Sequence, residues 1–201
     1  MIALDTVEAG FKSPVFDSQA WFRVVLDALS RPGTIRRPER GTGSVSPQRP
    51  FDAAAIAVAL SLLDNSVQVW LAPSARTPRL ISFLRFHTGA TLCEAPGQAD
   101  FALIPSASEM PPLSDFSWGS DETPEYSTTL LLQVAAISNR PGWLLRGPGI
   151  RDSIELDVEG MPTEFKAMWQ DNHAAFPRGV DLLLVCGDRV CGLPRTTSIG
   201  H

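Results

Sequence analysis

The length of its apolar runs most constrains how this chain can fold. The longest, residues 129–137 and 182–186, fall far short of the roughly 20 residues that a membrane-spanning helix needs. Runs of that size read as buried strands, and stretches with apolar residues at helical spacing lie between them. Strands interleaved with helices predict an α/β sandwich, and closely spaced strand pairs predict a mixed sheet. With 201 residues the chain has the size of one soluble domain, 1–201, large enough to be held by its core without a disulfide or metal.

Along the chain, the spacing predicts a first helix over residues 17–30, with Trp21, Phe22, Val25, Leu26 and Leu29 as its apolar stripe. Asp17 or Ser18 would cap it, and Pro32-Gly33 would stop it. Residues 36–50 have prolines and no period, and read as a surface connection. A second helix over 52–63 and a strand over 67–72 follow. Pro78 then opens a third helix that carries Leu80, Ile81, Phe83 and Leu84 inward. Residues 101–104 read as a short buried strand, 110–127 as a long excursion, and 128–137 as a single central strand. Strands at 143–146 and 153–158 flank the turn Gly147-Pro148-Gly149. A helix over 163–176 carries the stripe Phe165, Met168, Trp169 and Phe176, and strands at 181–186 and 189–193 close the chain.

Composition removes several function classes. Seventeen basic residues against twenty-two acidic ones give a net charge of -5, which argues against a nucleic-acid binder. Residues 1–8 have neither the basic nor the apolar region of a signal peptide, so a cytoplasmic protein that does not cross a membrane is expected. Cys93, Cys186 and Cys191 then read as reduced thiols. Cys186 and Cys191 would sit diagonally across a hairpin turned at Gly187-Asp188. The chain has no phosphate-binding P-loop, no dinucleotide glycine motif and no nucleophile elbow. His87, His173 and His201 are too far apart in sequence to signal a metal site.

Only two lysines occur, Lys12 and Lys166, and neither suits a pyridoxal phosphate Schiff base, so no cofactor is expected. Anion-binding groups remain. Arg146 leads into Gly147-Pro148-Gly149-Ile150, where turn N–H groups and a guanidinium could meet a phosphate, though an ordinary strand connection has the same pattern. Arg195-Thr196-Thr197 combines a two-pronged donor with two hydroxyls, against the alternative of a frayed polar end. Arg85-Phe86-His87-Thr88 places a cation and an imidazole at a helix end, where a cation also complements the helix dipole.

These stretches, taken with Phe22-Arg23, Leu26, Ala28-Leu29-Ser30-Arg31-Pro32-Gly33, Leu63-Asp64-Asn65, Phe176-Pro177, Asp181-Leu182 and Leu193-Pro194, resemble the H-subunit family of the bacterial carbon–phosphorus lyase system for phosphonate degradation. The resemblance runs from Phe11 to about Thr197. It implies a three-layer α/β/α sandwich similar to the large domain of pyridoxal-phosphate-dependent transferases, without the cofactor. It also implies a homodimer when alone, association with the G, I and J subunits, and a phosphate, phosphonate or nucleotide as candidate ligand. The family as a set transfers methylphosphonate to the ribose C1 of ATP with release of adenine. Two other readings stay open: a free-standing enzyme using His87 or Asp181 as acid–base groups, and a non-catalytic scaffold with a vestigial phosphate pocket.

Overall fold

The computed structural model describes residues 7–39 and 43–200. Most of the 1–8 segment, part of the 36–50 connection and His201 lie outside them.

Helix α1, Pro14–Ser30, starts earlier than the sequence suggests because Pro14 supplies a preset first-turn φ. Asp17 is therefore not the cap. It sits in the first turn and accepts the backbone N–H of Ser13, with its other oxygen on the N–H of Gly43. The expected apolar stripe also splits. Trp21, Val24, Val25 and Ala28 go inward, while Phe22 and Leu26 face outward. Next come β1 (Ile35–Arg36), α2 (Ala53–Leu62), β2 (Gln68–Leu71), α3 (Pro78–Thr88), β3 (Thr91–Leu92) and β4 (Phe101–Ile104). Thr77 caps α3 by accepting the N–H of Leu80, and Gly89 ends it in the left-handed region at φ 73°.

The run 128–137 is two strands, not one. Strand β5, Thr129–Gln133, ends where the Gln133 amide turns to bond the N–H of Asp52 and the carbonyls of Pro50 and Pro105. Strand β6, Ala136–Arg146, belongs to another sheet and passes through Pro141-Gly142 by a register shift between Ser138 and Trp143. Then follow β7 (Ile154–Glu159), α4 (Phe165–Ala174), β8 (Asp181–Cys186), β9 (Arg189–Leu193) and β10 (Ser198–Gly200). Helix α4 stops short of Phe176, which is 61% exposed and outside the core.

Strands β1-β9-β8-β5-β4-β2-β3 form a seven-stranded sheet, and β10-β6-β7 a three-stranded one. In the larger sheet β3, β2, β4, β5 and β8 are parallel. Strand β9 runs against β8, and β1 against β9, so β9 alone is reversed. Alternation along the strands feeds two cores. Leu131, Leu183 and Val185 pack with α1, α2 and α3 on one face. Leu130, Leu132, Leu182 and Leu184 pack on the other face with Phe165 and Trp169 of α4 and with Leu145, Leu156 and Ile199 of the small sheet. The architecture is a mixed α/β sandwich, and its third layer is an antiparallel sheet joined by α4 rather than a layer of helices.

Cys186 pairs with Arg189 and Cys191 with Leu184, which is the diagonal placement expected, and all three thiols are free and buried. Burial pushes the Cys191 thiol up to about 12, so it stays protonated. Among the described residues no helix is long and apolar enough to cross a membrane.

Candidate functional site

The chain leaves β9 through Pro194 into Arg195-Thr196-Thr197 and ends in β10, which pairs Ser198 with Arg146 on β6. The segment is anchored rather than frayed. Thr197 is fully buried and accepts the indole N–H of Trp169 at 2.8 Å, and His173 Nδ1 meets the Arg195 carbonyl at 2.9 Å. Both anchors come from one face of α4, where residues four apart line up.

The Arg195 guanidinium is saturated. Its Nε donates to Asp181 Oδ1, one terminal nitrogen to the carbonyls of Pro124 and Pro177, and the other to Ser127 Oγ and Asp181 Oδ2. The Arg195 backbone N–H also goes to Asp181 Oδ1 at 2.8 Å. An arginine has five N–H donors, and here all five have protein acceptors. The hollow beside it, about 360 Å³, is rimmed by Pro124, Glu125, Phe176, Pro177, Pro194 and Thr196, and its carboxylate and prolines offer little to an anion.

Arg146 is exposed at the end of β6, and Gly147 beyond it presses on the other predicted segment. A Cβ at Gly147, whose φ is 143°, would stand 2.7 Å from the Thr196 carbonyl oxygen. The structure thus brings Arg146 and Thr196-Thr197 together. Arg85 and His87 are not with them, because α3 packs on the opposite face of the large sheet. Arg85 is exposed. His87 lies between Phe83 and Phe86, with Nε2 2.9 Å from the Glu8 carbonyl, and desolvation holds its pKa below the ordinary value. It borders a hollow of about 420 Å³ with Gly10, Phe11, Pro14, Val15 and Leu60, a lining with no second acid or base.

Other hollows lie away from these residues. Past the carboxyl ends of β4 and β5, where α/β sheets hold ligands, a hollow of about 240 Å³ is lined by Pro105, Ser106, Ala107, Gln133, Val134 and Gly160. It has one hydroxyl and an amide that is already committed to three backbone groups. Along α1 a groove of about 470 Å³ gathers Phe16, Arg23, Asp27, Arg36, Arg37 and Glu39. The sequence signal for it was present in Arg36-Arg37, but the register of α1 was needed to add Phe16 and Arg23. Among the described residues no cluster of three or more His, Cys, Asp or Glu side chains could hold a metal.

Among the described residues the geometry offers cation-rich and apolar surfaces, and the chain is also similar to known proteins. Residues 9–200 match the family model described as bacterial phosphonate metabolism protein (PhnH). The chain is 36% identical over 200 residues to the alpha-D-ribose 1-methylphosphonate 5-triphosphate synthase subunit PhnH of Rhizobium meliloti (strain 1021), covering 99% of this chain and 98% of that protein. It is 41% identical over 81 residues to the putative C-P lyase subunit protein HtxG of Stutzerimonas stutzeri, covering 40% of this chain and 42% of that one. A match over nearly every described residue, with a full-length relative, places the chain in the family of bacterial phosphonate metabolism proteins represented by PhnH.

Proposed function

We propose that this chain is a subunit of an alpha-D-ribose 1-methylphosphonate 5-triphosphate synthase, acting within a carbon–phosphorus lyase complex of phosphonate catabolism. The observation that carries this reading is the end-to-end likeness to a synthase subunit, 36% over 99% of the chain. On this reading the G, I and J subunits are its partners, and transfer of methylphosphonate to the ribose C1 of ATP releases adenine. The chain works in the cytoplasm as one domain, and as a homodimer when its partners are absent. The likeness to the large domain of pyridoxal-phosphate-dependent transferases is supported by the nearly parallel seven-stranded sheet with one reversed strand.

The saturated guanidinium of Arg195 favours the scaffold form of this reading over a catalytic one. Arg146, Thr196 and Thr197 are then a vestige of an anion site, and Arg85 and His87 belong to a separate surface. The test is adenine release from MgATP and methylphosphonate by the partner subunits with and without this chain, and by this chain alone. Release that requires this chain together with its partners is expected. Equal release without it removes the necessary role, and release by this chain alone overturns the scaffold form.

A further inference from the structure

Helix α1 buries one face and leaves a second apolar stripe in water. Val15 is 77% exposed, Phe22 45% and Leu26 51%. These positions are seven and four residues apart, so they share one azimuth of the helix. One step round lie Phe16, 73% exposed, then Ala20, Arg23 and Asp27, which line the groove between α1 and Arg36-Arg37. Such a cluster of large apolar side chains on one exposed helix marks an interaction surface, whereas scattered single ones do not.

The charges beside the stripe say what covers it. Asp27 is taken by Arg31 and Arg36. Among the described residues Arg37 pairs with Asp188 at 3.8 Å, both side chains mostly in water, and Arg23 forms no ion pair, while Glu39 lines the same groove. A chain of net charge -5 thus sets underused guanidinium groups along an apolar helix face. A second copy fits this face poorly. Two-fold pairing of Pro14–Ser30 about its midpoint would bring the two Arg23 side chains close together.

We infer that the Val15–Phe22–Leu26 stripe and the Arg23/Arg37 groove dock an amphipathic helix of a partner subunit, one whose apolar side chains are flanked by Asp or Glu. This rests on the subunit reading above and adds the face and the chemistry of the contact. Apolar anchors at the centre supply most of the affinity, and the carboxylate–guanidinium pairs at the rim set register and salt dependence.

The test uses the full chain and the purified, co-assembled G, I and J subunits as the probe, with Kd measured at low and high salt. Phe22→Asp and Leu26→Asp should each weaken binding about tenfold or more, as loss of an interface anchor does. Arg23→Glu should weaken binding and flatten its salt dependence, and Arg23→Lys should keep most of both. Lys166→Glu, a charge reversal on α4, should leave Kd unchanged. All four positions are outside the buried core, and an unchanged melting temperature for each variant separates docking from folding. If the wild-type chain binds its partners and the α1 variants bind equally well, the docking face is overturned while the subunit reading stands. If Phe22→Asp abolishes self-association but leaves partner binding intact, the occupant is a second copy and the inference fails. If the wild-type chain does not bind at all, both fall.

Discussion

Arg195 shows how a guanidinium with ligand chemistry can be tied into the fold. Its guanidinium ties Asp181 on β8 to the carbonyls of Pro124 and Pro177 and to Ser127, so it joins the long 110–127 excursion, the end of α4 and the last strand pair. The pair with Asp181 is largely shielded, since the arginine side chain is only 12% exposed. Arg195→Ala would leave the carboxylate with only the backbone N–H of residue 195 and two carbonyls without their donors, an expected loss of about 2–4 kcal/mol in urea unfolding. Arg195→Lys should recover only part of it, because an ammonium has three donors and no planar fork. A ligand-binding arginine would behave oppositely, with stability unchanged and affinity lost. The triplet Arg195-Thr196-Thr197 has the composition of an anion site. The acceptors of its guanidinium include a carboxylate 14 residues earlier and carbonyls 18 and 71 residues away, which no local pattern records.

Elements were legible where periodicity had room to act. Helices α3 and α4 and strands β2, β4, β8 and β9 lie close to their expected places, as does the hairpin at Gly187-Asp188. Strands β1, β3 and β10 leave no signal in the sequence, because two or three residues have no period and their pairing partners are distant. The inward face of α1 is offset by one position from the expected stripe, and the reason lies in the sheet beneath it. Gly192 on β9 brings α1 so close that a Cβ there would stand 2.5 Å from the Ala28 carbonyl oxygen. Gly192→Ala must push the helix outward, with an expected loss of about 1–3 kcal/mol, the usual range for overpacking. For a chain of this size that is a fall in Tm of roughly 2–12 °C, read by thermal unfolding. The start of α1 has a pH signature as well. Hydrogen bonds from Ser13 and Gly43 hold the Asp17 carboxyl below its ordinary pKa. A depressed folded pKa stabilises the protein above the unfolded value, near 3.9, and that stability is lost as pH falls through the folded one. Asp17→Asn should therefore be less stable than wild type at pH 7, with the gap closing below about pH 4 in acid titrations of unfolding.

At the scale of the whole molecule, residues 194–200 close the face of the sandwich that carries α4 and the small sheet. Strand β10 completes the small sheet on β6, Ile199 enters its core, Thr197 caps the Trp169 indole, and Arg195 neutralises Asp181. The large sheet cannot stay indifferent to their loss. Its strands β5 and β8 send alternate side chains into both cores, so loosening the α4 face frees Leu130, Leu132, Leu182 and Leu184 beside residues that hold the α1–α3 face. A chain ending at Leu193 should keep much of its helical far-UV signal, since α1, α2 and α3 pack elsewhere. It should lose the near-UV signal of Trp143 and Trp169, which stack with Phe165 in the core that the truncation uncovers. The full chain should show coincident near- and far-UV urea transitions, and the truncated one should show an early loss of near-UV signal followed by a broad far-UV change, the signature of a compact state without fixed packing. Coincident, sharp transitions in the truncated chain would mean that the two cores are coupled without the C-terminal segment. Its buried Thr197 and saturated Arg195 would then need a role outside the fold.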